Sequence, residues 1–568
     1  MLGERDAADF LLEKTAGKRR PTAADPQDAQ ALAHDLGGLA LALEQAGAFI
    51  AKHRGSFAEY RQRWQRHDTK VLEWFDQRAM KYPKSVATTW QTSVDKLSAD
   101  GRNLLKVLCW LAPDPIPADM VRKLTPPEGS RPPLLRRLLD RLTLRKRPAE
   151  IDVEKALADL ATYSLVKWDG AAQSVTVHRL VEEITRYRLA DKERVSRLEQ
   201  CLWMVEDFTA GDAQDVRTWP GVYAPARTHI EAVTREADRL GVPHPTMGLM
   251  SKLGIYLLTR GSFAEAEPLM RRAVAVAEAA DGPDQPLVAF HLNTLAVLLR
   301  NTNRLAEAEP LFRRALAIHE ASSGPDSPEG AVPLSNLAEL LRHTNRPAEA
   351  EPLYLRALAI GEATLGPAHH AVAIRLGSLA QLYHDTSRFA EAEPLMRRAL
   401  AIAEAAFGPD HPNVAGQLSN LAALLQVTGR SAEAEPMYRR SLAIDEASFG
   451  PDHPSVATQI NNLAHLLQHT NRLADAEPLF RRAFAINEAS YGRDHPKVAN
   501  NLNNLARFLE ITGRSAEAEP LYRRAVAILR QSLGEDHPDT KLVRRNYAIF
   551  LQTHGRSRDS STQQEDLP

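Results

Sequence analysis

The sequence has few of the features on which disulfide-stapled or membrane-embedded proteins depend. Only two cysteines, Cys109 and Cys201, occur in 568 residues, so no disulfide framework is expected. No run reaches the roughly 18 apolar residues of a membrane-spanning helix. The first residues lack the basic-then-apolar order of a secretory signal. These absences predict a cytoplasmic protein with no membrane partner.

An excess of one charge is missing as well, since the formal net charge is -1 at pH 7. Global attraction to nucleic acid is therefore not expected. The motif G-x-x-x-x-G-K-[ST], whose backbone N–H groups hold nucleotide phosphates, does not occur. No nucleophile with a neighbouring base stands out either. The sequence predicts no enzymatic activity and no cofactor.

What the sequence does contain is a repeat. The phrase LAEAEPLFRRALAIHEASSGPD begins at Leu305 and returns, with small changes, every 42 residues. Its prolines are Pro268, Pro310, Pro352, Pro394, Pro436, Pro478 and Pro520, and its closing glycines run from Gly282 to Gly534 at the same interval. A fixed period of this length predicts an array of stacked units rather than one globular core.

One unit, residues 411–452, contains two apolar stripes at helical spacing. TGRS separates them, with Gly429 suited to a left-handed helix end and Ser431 to an N-cap. Glutamate and arginine four residues apart, such as Glu435 and Arg439, are expected to pair on the exposed face. Neither stripe can be covered within one pair of helices, so neighbouring units must cover it. The expected fold class is all-α, an α-solenoid.

The pattern of Leu421, Ala422, Ala434 and Tyr438 resembles the tetratricopeptide repeat, in the longer variant found in kinesin light chains and many bacterial proteins. The resemblance implies a right-handed α-solenoid over residues 246–553, with seven helix pairs and a capping helix. Residues 554–568 are expected to be a disordered tail.

In tetratricopeptide arrays the first helices line a concave groove, and the residue before the Leu–Ala pair faces into it. Here that residue is Thr294, Asn336, Ser378, Asn420, Asn462, Asn504 and Asn546. An amide donates and accepts, as the backbone of an extended peptide requires. Asn336, Asn420, Asn462, Asn504 and Asn546 are thus the candidate peptide-binding residues. The alternative is that they cap loops or bridge adjacent helices.

The residues three positions further on vary from unit to unit: Val297, Glu339, Gln381, Ala423, His465 and Arg507. A constant amide beside a variable neighbour is the pattern that a binding groove would show. The histidines of the PDHP segments lie on successive units, too far apart to share one metal ion. They are expected to cap helices, and no metal site is predicted.

Residues 1–245 do not repeat. They predict apolar helices split near Gly55, then a helical region that ends in a hairpin formed by SLVKWD and SVTVH. We expect a winged-helix domain over 86–190 and a helical connector over 191–245.

This region resembles the rear part of the NB-ARC module of signal-transducing ATPases with numerous domains. GGLALAL, with Ala40 in place of proline, is similar to one motif of that module, and VHRLVEE is similar to its Met-His-Asp motif. The resemblance implies that residues 1–85 are a helical remnant of the module. It also implies vestigial nucleotide contacts from His178 and Ala40, with ADP or ATP bound only if an ATPase region precedes this chain.

Three functions are compatible with the sequence. The leading one is a non-enzymatic scaffold or sensor that binds a protein or peptide in the groove. The second is the sensor half of a nucleotide-dependent signalling switch with intramolecular or oligomeric NB-ARC contacts. The third is a DNA-binding regulator, based on the basic segment RPPLLRRLLDRLTLRKR at 131–147; a solvated helix face is the commoner reason for such a segment, so a nucleic-acid partner is not expected.

Overall fold

The structure is a computed structural model. It describes residues 3–36, 40–65, 93–124, 151–163, 165–211, 213 and 218–554. The chain forms two compact units, one up to Leu253 and one from Gly254 onward, and each is described by itself. The predicted all-α solenoid is confirmed for the second unit, and most of the first unit is helical as well.

The first unit begins with four helices: α1 (Glu4–Thr15), α2 (Asp25–Asp35), α3 (Ala40–His53) and α4 (Phe57–Gln65). Their apolar faces form one core that includes Leu11, Leu32 and Phe57. Ile184 of a later helix belongs to the same core. The expected break near Gly55 is present between α3 and α4.

A small sheet with helices follows. The elements are α5 (Ala99–Leu108), β1 (Ile116–Pro117), α6 (Ala118–Arg122), α7 (Val153–Thr162), β2 (Val166–Asp169), β3 (Ser174–Val177) and α8 (Arg179–Arg188). The strand order is β1-β3-β2 and both pairings are antiparallel. The predicted hairpin is therefore confirmed. The basic segment at 131–147 lies outside the described residues.

Two further helices of the first unit are α9 (Asp191–Phe208) and α10 (Ala224–Arg239), the latter preceded by one π-helical turn at Trp219–Tyr223. Buried His229 of α10 lies against the sheet region, with its Nε2 3.3 Å from the carbonyl oxygen of Pro115. Helix α10 is thereby held beside the loop that leads into β1.

The repeat region consists of seven helix pairs and a single last helix. The pairs are α11 (Thr246–Thr259) and α12 (Phe263–Asp281); α13 (Pro286–Asn301) and α14 (Leu305–Ser323); α15 (Ala331–His343) and α16 (Pro347–Leu365); α17 (His370–Asp385) and α18 (Phe389–Phe407); α19 (Pro412–Val427) and α20 (Ser431–Phe449); α21 (Pro454–His469) and α22 (Leu473–Tyr491); α23 (Pro496–Ile511) and α24 (Ser515–Leu533). Helix α25 (Pro538–His554) ends the described part of the chain.

The apolar stripes are covered by neighbouring repeats, as expected. Ala403 of α18, Leu418 of α19 and Ile444 of α20 belong to one buried cluster that spans two repeats. The repeated proline does not interrupt the second helix, because Pro310 lies inside a helix that runs from Leu305 to Ser323.

The turn within each repeat depends on one left-handed residue. Gly429 has φ +80°, as predicted. Asparagine or serine takes the same place in other repeats, as at Asn303 with φ +58° and Ser387 with φ +60°. The prediction for Ser431 is wrong: helix α20 begins at Ser431, and the residue that caps it is Arg430. Arginine is favoured there by an ion-pair arrangement described below.

Candidate binding surface of the repeat array

The first helices of the repeats form one face of the array. From α13 to α21, and again from α23 to α25, the first helices of successive repeats contact each other, whereas second helices are further apart. Helices that are closer together lie on the inside of a curved stack. The first helices therefore form the inner face, on which we predicted the groove.

Three of the five candidate asparagines bridge adjacent first helices on this face. The Nδ2 of Asn336 donates to the Oδ1 of Asn293 at 2.9 Å. Asn504 donates in the same way to Asn461 at 3.2 Å, and Asn546 donates to Asn503 at 3.0 Å. In each pair the partner lies 43 residues earlier, one position before the equivalent residue of the preceding repeat. At these three sites the bridging alternative describes the structure.

In the fifth and sixth repeats this amide ladder is interrupted. The residue 43 positions before Asn420 is Gly377, which has no side chain to bond. The residue 43 positions before Asn462 is Ser419, whose hydroxyl is already bonded to Ser441 and Gln459. Within the described residues, the amides of Asn420 and Asn462 have no hydrogen-bond partner. Asn420 is exposed and Asn462 is half-buried.

The inner face is apolar on one side of these amides. Phe290, Val332 and Ile374 occupy the same position in three successive repeats and are 49%, 56% and 61% exposed. They lie one helical turn before the amide position. The equivalent residues in the next three repeats are Gly416, Thr458 and Asn500, so the apolar row stops where the free amides begin.

A carboxylate is fixed beside this apolar row. Burial alone would raise the pKa of Glu339, but hydrogen bonds from His343, Arg342 and Tyr354 hold it well below its usual range. The Tyr354 hydroxyl donates to the Glu339 carboxylate at 2.7 Å, and Arg342 lies 2.7 Å from it. Arg342 also pairs with Asp385 of the next repeat. Glu339 therefore stays ionised, and its carboxylate is already bonded to neighbouring side chains of the protein.

The other side of the free amides is basic. The positive charge there comes from Arg507 on α23, which lies near His465 of α21. Burial, together with the positive charge of Arg507 and His469, lowers the pKa of His465 to about 4. Arg507 is exposed and has no ion pair within the residues that the structure describes. Along the array, the inner face thus presents first apolar side chains, then free amides and then positive charge.

A second set of arginines was not identified from the sequence. Arg304 lies just before its second helix and bonds both Glu307 in that helix and Glu267 in the preceding repeat, each at 2.7 Å. The same double contact is made by Arg346, Arg388, Arg430, Arg472 and Arg514. The 42-residue spacing of these arginines was the available signal. The predicted pairs within one helix are present too, as between Glu435 and Arg439 at 2.8 Å.

The repeated histidines cap helices, as predicted. The Nδ1 of His411 accepts a hydrogen bond from the backbone N–H of Asn413 at 3.2 Å, and its ring stacks on Phe407 at 4.4 Å. His369, His453, His495 and His537 accept the equivalent bond. No group of three or more potential metal ligands lies together in the described ranges. Nor does any helix there have the length and hydropathy needed to cross a bilayer.

The candidate nucleotide residues lie in the first unit. His178 directly precedes α8, and its carbonyl oxygen accepts hydrogen bonds from the N–H groups of Val181 and Glu182. Ala40 is the first residue of α3. Arg179, which stands where the Met-His-Asp motif has aspartate, lies 3.5 Å from Glu183 and 3.8 Å from Asp35. Trp64 of α4 also donates to Glu183, which ties α4 to α8.

The comparison with known families identifies the repeat region. Residues 246–321, 294–363, 330–405, 416–488, 455–531 and 498–566 match the tetratricopeptide repeat family, which together is more than half of the chain. The protein belongs to the tetratricopeptide repeat family. Residues 92–194 match a domain of unknown function, DUF7779, which covers the small sheet and helices α5 to α8.

Three solved structures are similar to the chain at low sequence identity and low TM-score. BtubC (BKLC) from P. vanneervenii is 22% identical, with a TM-score of 0.33 over 42% of this chain and 93% of that one. A signal transduction ATPase with numerous domains from Pyrococcus horikoshii, with a tetratricopeptide repeat sensor, is 14% identical, with a TM-score of 0.37 over 97% and 75%. A Rap protein complexed with Competence and Sporulation Factor is 14% identical, with a TM-score of 0.38 over 64% and 100%. No curated protein matches the chain.

Proposed function

We propose that the protein is a non-enzymatic scaffold or sensor that binds a peptide segment of a partner protein on the inner face of its repeat array. The observation that carries this proposal is the interruption of the amide ladder at Asn420 and Asn462. Four repeats and the last helix provide an asparagine at this position, and only Asn420 and Asn462 leave it without a partner within the described part of the chain.

A side-chain amide without a hydrogen-bond partner on the inner face can bond the backbone of a peptide. Each asparagine donates and accepts, so two successive ones can bond the N–H and C=O groups of an extended chain. Exposed Phe290, Val332 and Ile374 lie to one side, and Arg507 lies to the other. The proposed ligand therefore carries apolar side chains at one end of the bound segment and an acidic group at the other.

The test uses peptides selected from a random display library against the full chain and then titrated in solution. Replacement of Asn420 and Asn462 by alanine is expected to weaken binding by about 0.5–1.5 kcal/mol for each hydrogen bond lost. The melting temperature should barely change, because neither amide bonds another residue of the described chain.

Two further variants sharpen this test. Gly377→Asn supplies the missing partner for Asn420 and should weaken peptide binding while leaving the fold intact. Asn336→Ala is the matched control, since it breaks a ladder bond and should lower the melting temperature without changing the affinity of a peptide for Asn420 and Asn462. Unchanged affinity in both the double alanine variant and Gly377→Asn would refute the assignment of these amides.

As a second candidate, we propose that the chain is the sensor part of a nucleotide-dependent switch. The supporting observations are the resemblance of VHRLVEE to the Met-His-Asp motif and the position of His178 directly before α8. The proposed contacts of ADP or ATP are His178 and Ala40. They require an ATPase region that supplies the phosphate loop, in the same chain or in another.

The test is ADP binding by the full protein that contains such a region, with His178→Ala and Arg188→Gln compared. A lower affinity for ADP in His178→Ala than in Arg188→Gln supports the proposed switch. The same affinity for ADP in the two variants contradicts the proposed role of His178.

A further inference from the structure

A cavity of about 730 Å³ lies within the first unit, between α8, α10 and the loop that follows α5. Its walls combine apolar surface from Leu111 and Ala112 with several guanidinium groups. The volume is within the range of pockets that hold a small organic molecule. His178 itself does not line it, although Arg179, Glu182 and Glu183 of the VHRLVEE segment do.

Two buried polar atoms of the cavity wall lack a partner. The side chains of Trp110 and Glu182 are each only 1% exposed. The indole Nε1 of Trp110 and the Oε1 of Glu182 have no hydrogen-bond partner among the described residues. An unmet buried polar group costs about 1–3 kcal/mol, so native structures rarely keep one without a purpose. Both residues line the same cavity.

Two arginines of the wall also lack a carboxylate partner. Arg179 pairs with Glu183, and Arg239 pairs with Glu236. Arg186 on α8 and Arg235 on α10 have no ion pair in the parts of the chain that the structure describes. The two helices that bound the cavity thus each contribute one unpaired cation.

Glu182 itself is a weak counter-ion for these cations. Burial raises the pKa of Glu182 to about 8, and the nearby charge of Arg186 offsets this only in part. Near neutral pH the group is therefore mostly a carboxylic acid, which can donate a hydrogen bond. Glu231, another carboxylate of the wall, is already paired with Arg227 at 3.0 Å. The cavity keeps an excess of positive charge.

We propose that this cavity binds a small organic anion, whose carboxylate or phosphate group is held by Arg186 and Arg235 and accepts hydrogen bonds from Trp110 and Glu182. Guanidinium groups suit both anions because their forked N–H groups match two oxygens at once. Such a ligand would satisfy both unpaired arginines and both orphan polar atoms together.

The test titrates the full chain with citrate and, separately, with pyrophosphate, by calorimetry at low ionic strength. At least one probe should bind with a stoichiometry of one. Arg186→Gln and Arg235→Gln should each weaken binding by about 10-fold or more, as expected for the loss of a charged hydrogen bond. Arg188→Gln is the matched control, because Arg188 is on the same helix but lines a separate cavity.

The preferred probe separates a carboxylate ligand from a phosphate ligand. Equal affinities in wild type, Arg186→Gln, Arg235→Gln and Arg188→Gln would mean non-specific attraction and would overturn the proposal, as would no binding of either probe at millimolar concentration. Arg235 is exposed, so its variant should fold even if Arg186→Gln does not.

The pH dependence gives an independent readout. The charged groups that face Glu182 are Arg179, Glu183 and Arg186 on its own helix and Asp114 before β1, and Glu231 and Arg235 lie on the wall formed by α10. Citrate affinity should fall as the pH rises through about 8, because Glu182 then becomes an anion. Glu182→Gln keeps a neutral donor and should bind citrate with little change over this range. A wild-type profile that is equally flat would contradict the role of Glu182.

Discussion

At the scale of single residues, His495 performs two functions that fix its protonation state. Its Nδ1 accepts a hydrogen bond from the backbone N–H of Lys497 at 3.0 Å. The proton must then be on Nε2, which donates to the carbonyl oxygen of Thr259 at 3.1 Å. Burial is the main reason that the pKa of His495 is lowered to about 4, although the Thr259 carbonyl opposes the shift. The folded protein therefore requires neutral imidazole.

The first prediction concerns acid stability. An unfolded chain binds a proton at His495 near the ordinary pKa of about 6.5, whereas the folded chain does not until about pH 4. The stability that neutral His495 provides is thus present above pH 6.5 and lost as the pH falls toward 4. His495→Asn keeps a capping acceptor but cannot titrate. Its free energy of unfolding should be about 1 kcal/mol lower at pH 7 and should vary less than that of wild type between pH 6.5 and 4.

His369→Asn is the control for this measurement by chemical denaturation at several pH values. His369 makes the same cap with its Nδ1, but among the described residues its Nε2 makes no bond equivalent to the one between His495 and Thr259. If His495→Asn retained the full pH dependence of wild type, another group would be responsible for it.

Individual residues also show where inference from the sequence reaches its limit. The column of asparagines was predictable because it repeats every 42 residues. The division into bonded and free amides was not predictable in the same way, since it depends on whether Asn293, Gly377 or Ser419 lies opposite on the preceding helix. Ser431 was assigned as a cap by its residue type. Arg430 occupies the cap because ion pairs with Glu393 and Glu433 outweigh that local preference.

At the scale of helices, the ends of the second helices depend on glycine. Helix α20 ends at Phe449, and Gly450 follows with φ +85°, a conformation that residues with a Cβ rarely adopt. The equivalent glycines of the other repeats have φ between +85° and +97°. The turn into the next repeat therefore favours a residue without a Cβ at this position.

The second prediction compares two glycines of neighbouring helices. Gly450→Ala should lower the free energy of unfolding by about 1 kcal/mol, because alanine is strained at positive φ. Gly416 lies inside α19, and a Cβ there would meet nothing within 4 Å. Gly416→Ala should raise stability by about 0.5–1 kcal/mol, since glycine is a poor helix former. Urea denaturation of both variants tests this, and changes of the same sign would contradict it.

Helices and the hairpin were within reach of sequence analysis because each depends on local periodicity or turn residues. The cavity of the first unit was not. It is formed by Trp110, Glu182 and Arg235, which lie far apart in the sequence and carry no common spacing. A site of that kind becomes visible only when the positions of α8 and α10 around the cavity are known.

At the scale of the whole array, the first repeat contacts the seventh. Gly261, in the turn between α11 and α12, packs against His495 and Pro496, and a Cβ on Gly261 would lie 2.9 Å from the His495 ring. The bond between Thr259 and His495 joins the same two places. Residues more than 230 positions apart in the sequence are thereby in contact.

The third prediction isolates this long-range contact. Gly261 and Gly513 occupy the same turn in different repeats, with φ +76° and +79°. Gly513→Ala should cost only the strain of positive φ, about 1–2 kcal/mol. Gly261→Ala should cost more, because its Cβ also displaces the His495 ring. Denaturation measures the difference, and small-angle scattering should show a larger radius of gyration for Gly261→Ala alone. Identical behaviour of the two variants would mean that the contact contributes nothing.

The arginine contacts are equivalent at successive repeats, and this affects how the number of repeats can change in evolution. Removal or duplication of one 42-residue unit would bring Arg430, for example, opposite a glutamate equivalent to the one it left, so the new junction would reproduce the old ion pairs. In the units that begin with a histidine, from His369 to His537, this cap would likewise be replaced by another of the same kind. Recombination between units can therefore lengthen or shorten the array by whole repeats without the formation of a new kind of interface between repeats. The number of inner-face positions available to a ligand changes with the number of repeats.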